Sequence, residues 1–233
     1  LSLESGADII FNPEVDEMLK ISRDKALANP TPKLNDIPVI LSGEPVKQLF
    51  YYYYDKASAR SVYENWSTAK IGESIQGDHI KGDRVSIVLV PHLENSTASA
   101  PYDEDGLILS KVSIYEEGIL KRYWGNIRYS HYLNVEPTGI IRNIVVEGGS
   151  KSLEEMKEGP YLELVSFSDF QVDPITGDFA GEIRLGWYND GDKFIPVTGG
   201  SISGNINEVH KEMYLSKEVQ KLNNFLGPYS VKL

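Results

Sequence analysis

The chain has 233 residues, 41% of them apolar, enough for one large β-rich domain or two small ones with a substantial core. Lys and Arg number 23 against 34 Asp and Glu, a formal net charge of −11, and no local basic run offsets it, which excludes an evident surface for DNA, RNA or an anionic membrane. Cysteine is absent, which removes disulfides, thiolate nucleophiles and every zinc site that uses sulfur.

No segment approaches the run of about 18 apolar residues that a membrane span needs, and residues 1–11 lack the basic start and sustained apolar core of a signal peptide. The expected compartment is the cytoplasm, or outside the cell if a signal peptide precedes Leu1. The chain opens on Leu1 rather than methionine, as a fragment or a processed product would.

Residues 13–28 carry helical spacing through Val15, Met18, Leu19, Ile21 and Leu27, and Asn29-Pro30-Thr31-Pro32 must stop that helix because each proline disfavours αR in its predecessor. Residues 1–33 read as an entry segment or the remnant of an N-terminal domain, with residues 34–233 forming the main domain. Residues 37–41 (IPVIL) predict a short buried strand, and Gly43-Glu44-Pro45 starts a helix through Val46, Leu49, Phe50 and Tyr53. The aromatic cluster from Phe50 to Tyr54 is better explained as a helix wedged into a core than as a stacking site. Residues 57–69 predict a second helix, residues 84–90 (RVSIVLV) a strand, and the small, polar residues 92–101 a surface loop. Asn95-Ser96-Thr97 fits a glycosylation acceptor, which has meaning only in a glycosylating pathway.

The second half reads as marked hairpins. Residues 108–115 and 119–124 flank Glu116-Glu117-Gly118; residues 165–172 and 179–188 flank Asp173-Pro174-Ile175-Thr176-Gly177-Asp178; a return strand follows Asn189-Asp190-Gly191-Asp192 and ends at Gly199-Gly200. Period-two alternation interrupted by such turns predicts an antiparallel sheet. Between the hairpins, residues 127–137 show no clear period, residues 140–146 predict a strand, and residues 150–157 a short helix in which Ser152 and Glu155 complete a capping box. Residues 206–222 predict a helix, and Pro228 is expected to end the regular region. The fold class is therefore α+β, a mostly antiparallel sheet with flanking helices.

No active-site motif emerges. The four histidines, His79, His92, His131 and His210, lack the H-E-x-x-H spacing that puts two imidazoles on one helix face; Glu208 and Glu212 lie two residues from His210 and so face elsewhere. No G-x-S-x-G elbow surrounds Ser201, and Asp103-Glu104-Asp105 misses the spacing of a calcium loop.

Five words in order carry a resemblance: Asp103-Glu104-Asp105-Gly106 entering a strand, Glu117-Gly118-Ile119-Leu120, Thr138-Gly139 with Arg142-Asn143, Asp173-Pro174-Ile175-Thr176-Gly177-Asp178-Phe179, and Pro196-Val197 leading to Ile202-Ser203-Gly204-Asn205-Ile206. This sequence resembles the C-terminal domain of the TldD/PmbA family. One departure is Asp105, where the family pattern D-x-E-G has glutamate. The family comprises two-domain proteins of peptide maturation and protein degradation, once linked by name to modulation of DNA gyrase. Its TldD type is a zinc metallopeptidase with an H-E-x-x-x-H helix and a cysteine ligand, and its TldE/PmbA type is the partner that lacks this metal set. This chain has neither the H-E-x-x-x-H nor a cysteine, and its Ser203-Gly204-Asn205 ending resembles the PmbA side.

The resemblance implies a non-catalytic PmbA/TldE-like subunit or domain that holds an extended peptide by strand pairing. It implies no cofactor in this chain, zinc on a TldD-like catalytic partner, and assembly with that partner or as a homodimer. The shared family surface would be lined by Asp103, Asp105, Gly106, Thr138, Gly139, Arg142, Thr176, Gly177, Asp178, Gly204 and Asn205. Two other readings stand beside it: a ligand-binding or scaffolding β domain with an aromatic face built from residues 50–54, Trp124, Tyr129, Tyr132, Trp187 and Tyr188, and a self-sufficient metallopeptidase whose zinc ligands precede Leu1.

Overall fold

A computed structural model describes residues 11–33 and 37–233. Residues 1–10 of the entry segment, and the join at residues 34–36, lie outside the described residues. In chain order the elements are α1 (Phe11–Leu27), β1 (Asn29–Pro30), β2 (Val39–Ser42), α2 (Glu44–Lys56), α3 (Ala59–Tyr63), β3 (Ile87–Val90), β4 (Val112–Glu116), β5 (Ile119–Leu120), α4 (Ile127–Tyr132), β6 (Asn143–Val146) and α5 (Leu153–Met156). There follow β7 (Tyr161–Val172), β8 (Asp178–Asn189), β9 (Phe194–Thr198), β10 (Ser201–Asn205), α6 (Ile206–Val209), β11 (Tyr214–Leu215), β12 (Val219–Leu222), β13 (Phe225–Pro228) and β14 (Ser230–Lys232).

The strands form two sheets. One runs β1-β9-β8-β7-β2-β14-β11, with β10 also pairing with β8; the other runs β12-β13-β6-β3-β4-β5. Most pairs are antiparallel as expected, but the sheets are mixed, since β1 with β9, β2 with β7 and β13 with β6 run parallel. The backbone of the first sheet is the hairpin β7–β8, with strands of 12 residues each, whose register shifts near Leu164, Ser166 and Phe167.

α2 packs against both sheets, which is why its aromatics point in several directions. Phe50 lies 5.9 Å from Phe225 of β13, ring centre to ring centre, and Tyr53 meets Tyr115 of β4 edge-on at 6.2 Å. Leu41 and Leu164 of the first sheet belong to the same apolar cluster. The core expectation for residues 50–54 holds: Phe50, Tyr52, Tyr53 and Tyr54 are buried.

α1 rests on β9 and β8, where the Trp187 indole N–H donates to Asp24 (3.0 Å) and the Lys20 ammonium lies 5.9 Å from the Trp187 ring centre. Its apolar Val15, Met18, Leu19 and Leu27 are exposed.

Several sequence expectations are corrected. The helix expected over residues 206–222 stops at Val209, because the following segment is captured by distant partners: the Lys81 and Gly82 amides donate to Lys211 O, Asp83 N donates to Met213 O, and Leu215 N donates to the Asp83 carboxylate. Tertiary pairing outweighs a spacing compatible with a helix. Beyond it lies a hairpin, β12–β13, turning at Asn223 with φ 50°, and β14 continues past Pro228, so that proline does not end the regular region. The second helix spans only Ala59–Tyr63, and residues 127–132, which lack apolar periodicity, form α4, capped where Asn126 accepts from Tyr129 N at 3.1 Å. The strand expected from residue 108 begins at Val112, and its hairpin partner, expected over residues 119–124, covers Ile119–Leu120 alone. Loop 92–101 has no regular structure yet is anchored, since Ser96 is buried and donates to Asn143. The capping box is present: Glu155 N donates to Ser152 Oγ at 3.2 Å and Ser152 N donates to Glu155 at 2.6 Å.

Because Phe50 is fully buried between the sheets, Phe50→Ala should cost about 3–5 kcal/mol of folding free energy. Urea unfolding checks this; a loss under about 1 kcal/mol would mean that α2 is not the packing centre.

Candidate functional site: two turn clusters and an open strand edge

The site residues expected from the sequence fall into two groups. In the first, Asp103 organises a turn: its Oδ1 accepts from Asp105 N and Leu107 N, both at 3.0 Å, while Gly106 supplies φ 80°. Its Oδ2 accepts from Ile140 N at 3.2 Å, tying the turn to the segment entering β6. Asp105 accepts from Ile127 N (3.4 Å) at the start of α4. Thr138 is buried, with Oγ1 accepting from Gly125 N and donating to Gly139 O, both at 3.0 Å. Gly139 has φ 74°, and a Cβ there would meet Leu109 and lie 3.0 Å from the Asp103 carboxylate. Arg142 pairs with Glu104 at 2.8 Å, but both side chains are mostly exposed, so the pair contributes little.

The second group surrounds the β7–β8 turn. Asp173 Oδ1 accepts from Ile175 N (2.7 Å) and Thr176 N (2.9 Å), and these amides hold its carboxyl below the usual range. Thr176 Oγ1 donates to Asp178 at 2.8 Å; Asn205 Nδ2 donates to Asp178 at 2.7 Å and to Thr176 O at 3.1 Å. Gly177 has φ 82°, and a Cβ would lie 2.6 Å from Asn207 Nδ2. At Gly204 a Cβ would lie 2.5 Å from the Phe179 ring, so only glycine lets β10 lie this close to β8.

Sequence reasoning missed the residues that fasten this turn to α2. Lys56 Nζ donates to Ile175 O at 2.8 Å, and Tyr52 OH donates to Asn207 Oδ1 at 2.7 Å. No local signal announces them, since the Tyr52 partner lies 155 residues away. The first group is fastened to the same helix, through Tyr54 OH donating to Ile141 O at 3.0 Å.

A groove of about 730 Å³ lies at the second group, lined by Gln171, Asp178, Ala180, Ser203, Asn205 and Glu208 among others. One of its walls is β10. Gly200 O accepts from Ile183 N and Gly177 O accepts from Ile206 N at the two ends of the β8–β10 ladder. Hydrogen-bonded pairs alternate along an antiparallel ladder, so Ile202 and Gly204 face β8, while Ser201 and Ser203 turn their backbone N–H and C=O outward; Asn205 caps α6, and its C=O accepts the first bond of that helix. Among the described residues no strand pairs with that outer edge.

The expected aromatic face is not assembled. Residues 50–54 and Trp124 belong to the core region, Trp187 packs on α1, and Tyr129 and Tyr132 join Tyr63 on α3 and α4, with Arg60 and Arg128 over the rings.

Residues 35–232 match the family model described as the PmbA/TldA metallopeptidase C-terminal domain. The chain belongs to this family. It is 29% identical over 181 residues to "Metalloprotease PmbA" of Escherichia coli O157:H7, covering 76% of this chain and 40% of that protein. It is 31% identical over 170 residues to "Zinc metalloprotease TldD homolog" of Saccharolobus solfataricus, covering 65% and 35%. The structure of TldE from Thermococcus kodakarensis superposes with a TM-score of 0.76 at 19% identity, covering 94% of this chain and 54% of that one, a likeness of fold. The chain thus spans less than half the length of these two curated relatives.

The described residues of this family member do not fit a zinc site. Cysteine is absent, and among the described residues no group of three or more His, Asp or Glu side chains could hold a metal ion. Nor is any described helix long and apolar enough to cross a membrane. His210 is buried, its ring stacked on Tyr53 at 6.3 Å with Nδ1 3.4 Å from the Tyr53 hydroxyl. Burial pushes its pKa down to about 4, with Lys211 adding to the effect, so it is neutral in the fold.

The unfolded chain, with a histidine pKa of about 6.5, binds the proton more tightly, so stability should fall as pH drops from about 6.5 to 4. Asp55 works the other way: burial raises its carboxyl to about 6, which favours the fold as pH falls through that value. Comparing urea midpoints of wild type and His210→Asn at pH 7 and pH 4.5 isolates the histidine. The wild type should lose about 2–3 kcal/mol more than the variant over that range; equal losses would show His210 to be untitrated.

Proposed function

We propose that this chain is the non-catalytic, PmbA/TldE-like C-terminal part of a zinc metallopeptidase system for peptide maturation and protein degradation, and that it holds extended peptide by strand pairing. The open outer edge of β10 carries this reading. Ser201 and Ser203 present unpaired backbone groups beside the groove at the β7–β8 turn, the arrangement by which a peptide adds as one more strand. The flanking side chains are small or polar, so the edge is accessible without an apolar patch that would invite aggregation.

The metal chemistry would come from a TldD-type chain. The absence of cysteine and of a three-ligand acidic or histidine cluster among the described residues supports that division, as do relatives named metalloprotease PmbA, zinc metalloprotease TldD homolog and TldE. Substrate would enter this assembly as an extended strand, with Thr176, Asp178 and Asn205 fixing the turn that ends the edge.

Mixing the protein with a TldD-type subunit bearing H-E-x-x-x-H should give peptide cleavage, and Ser203→Pro should lower kcat/KM about 3- to 10-fold, the worth of one backbone hydrogen bond. Proline at this position removes an outward N–H and leaves the β8 ladder intact. Stoichiometric zinc and chelator-sensitive cleavage by this chain alone would overturn the non-catalytic assignment; unchanged kcat/KM in Ser203→Pro would overturn the edge.

A further inference from the structure

A second cleft, of about 200 Å³, opens between α2 and residues 68–75, with Asn207 and Leu120 also in its lining. At about 30 Å³ for each water, that is room for roughly seven, smaller than a pocket for a drug-sized ligand and suited to one small polar group. Lys70 pairs with Glu73 at 3.7 Å on its rim, so the uncompensated charge of the cleft is that of Lys56, in a chain whose net charge is −11.

Lys56 is 8% exposed, and its ammonium has no carboxylate within 4.0 Å among the described residues. Two carbonyls receive it, Ile175 O at 2.8 Å and Trp66 O at 3.5 Å, and the Tyr52 ring centre lies 5.3 Å away. An ammonium has three N–H groups, so one is left over. A buried cation without an anion is costly, and Lys56 pays in proton affinity: burial lowers its pKa, with Asp173 opposing the shift from a distance. Asn207 is fully engaged with Tyr52, Thr176 and Asn205 and serves as wall.

We propose that this cleft binds a carboxylate, received by the remaining Lys56 N–H, with the Lys70–Glu73 pair at the rim. One net positive charge matches a monoanion better than a phosphate dianion, which Glu73 would repel. The carboxylate is that of a free small acid or the C-terminus of a peptide; both present the same two oxygens.

Isothermal titration calorimetry at low salt, with no partner subunit, separates these sources. The probes are N-acetylalanine, acetyl-trialanine with a free carboxylate, and acetyl-trialanine amide. Both acids binding comparably identifies a small free carboxylate as sufficient, whereas binding of the tripeptide acid alone identifies a peptide terminus; either supports the site. The amide should bind at least about tenfold more weakly than the tripeptide acid. Lys56→Met should abolish that difference, and so should Thr68→Glu, which places a carboxylate at an exposed lining position and leaves the core untouched. Equal binding of acid and amide, no binding of either acid, or full acid affinity in folded Thr68→Glu would overturn the proposal. Cleavage with a partner subunit can succeed or fail independently of all these outcomes.

Discussion

Four consecutive tyrosines on one helix connect the parts of this molecule. The hydroxyls of Tyr51 to Tyr54 reach three segments: Tyr51 accepts from Asn224 at 2.8 Å, Tyr52 donates to Asn207 and Tyr53 faces His210, both around α6, and Tyr54 donates to Ile141 O. The rings fill the space between two sheets, and the hydroxyls fix the hairpin β12–β13, the segment around α6, and the approach to β6 against that filling. An apolar helix could provide the packing, but its side chains could not satisfy those buried polar groups, and an unsatisfied one costs about 1–3 kcal/mol. Burial drives the Tyr52 hydroxyl up to about 12, so it remains a donor through neutral pH.

The two turn clusters are attached to this helix rather than to one another. Their polar side chains are largely spent on backbone amides: Asp103 on residues 105, 107 and 140, Asp173 on residues 175 and 176, and Asn205 on Thr176 and Asp178. Such residues set geometry. On the proposed reading, peptide pairs with the backbone of β10, which turn chemistry positions and Gly204 allows to lie against Phe179.

What the sequence made legible and what it hid follow from the range of the forces involved. Asp173 through Asp178, Asn189 through Asp192, and the Ser152–Glu155 capping box are closed by hydrogen bonds within a few residues, and their spacing announces them. The segment after Val209 is decided by Asp83 and Lys81, more than 120 residues earlier, so its apolar spacing pointed to a helix that tertiary pairing overrode. Parallel pairs such as β2 with β7 leave no turn signal at all. In the candidate site the turn residues were readable one by one, while Lys56, Tyr52 and Asn207 were not, because their roles arise only when α2 is laid against a turn from the other half of the chain. The open edge of β10 was equally hidden: period-two alternation marks a strand but not the side on which it lacks a neighbour.

Amide hydrogen exchange along residues 201–205, with and without an extended peptide and a TldD-type subunit, tests the central claim most directly. In the free protein the Ile202 and Gly204 amides, bonded to β8, should exchange slowly and those of Ser201 and Ser203 fast. Peptide should slow Ser201 and Ser203 selectively and leave the alternate pair unchanged. If the outward amides exchange as fast with peptide and partner as without them, β10 is not where substrate pairs, and the account of this protein as a peptide-holding domain is wrong.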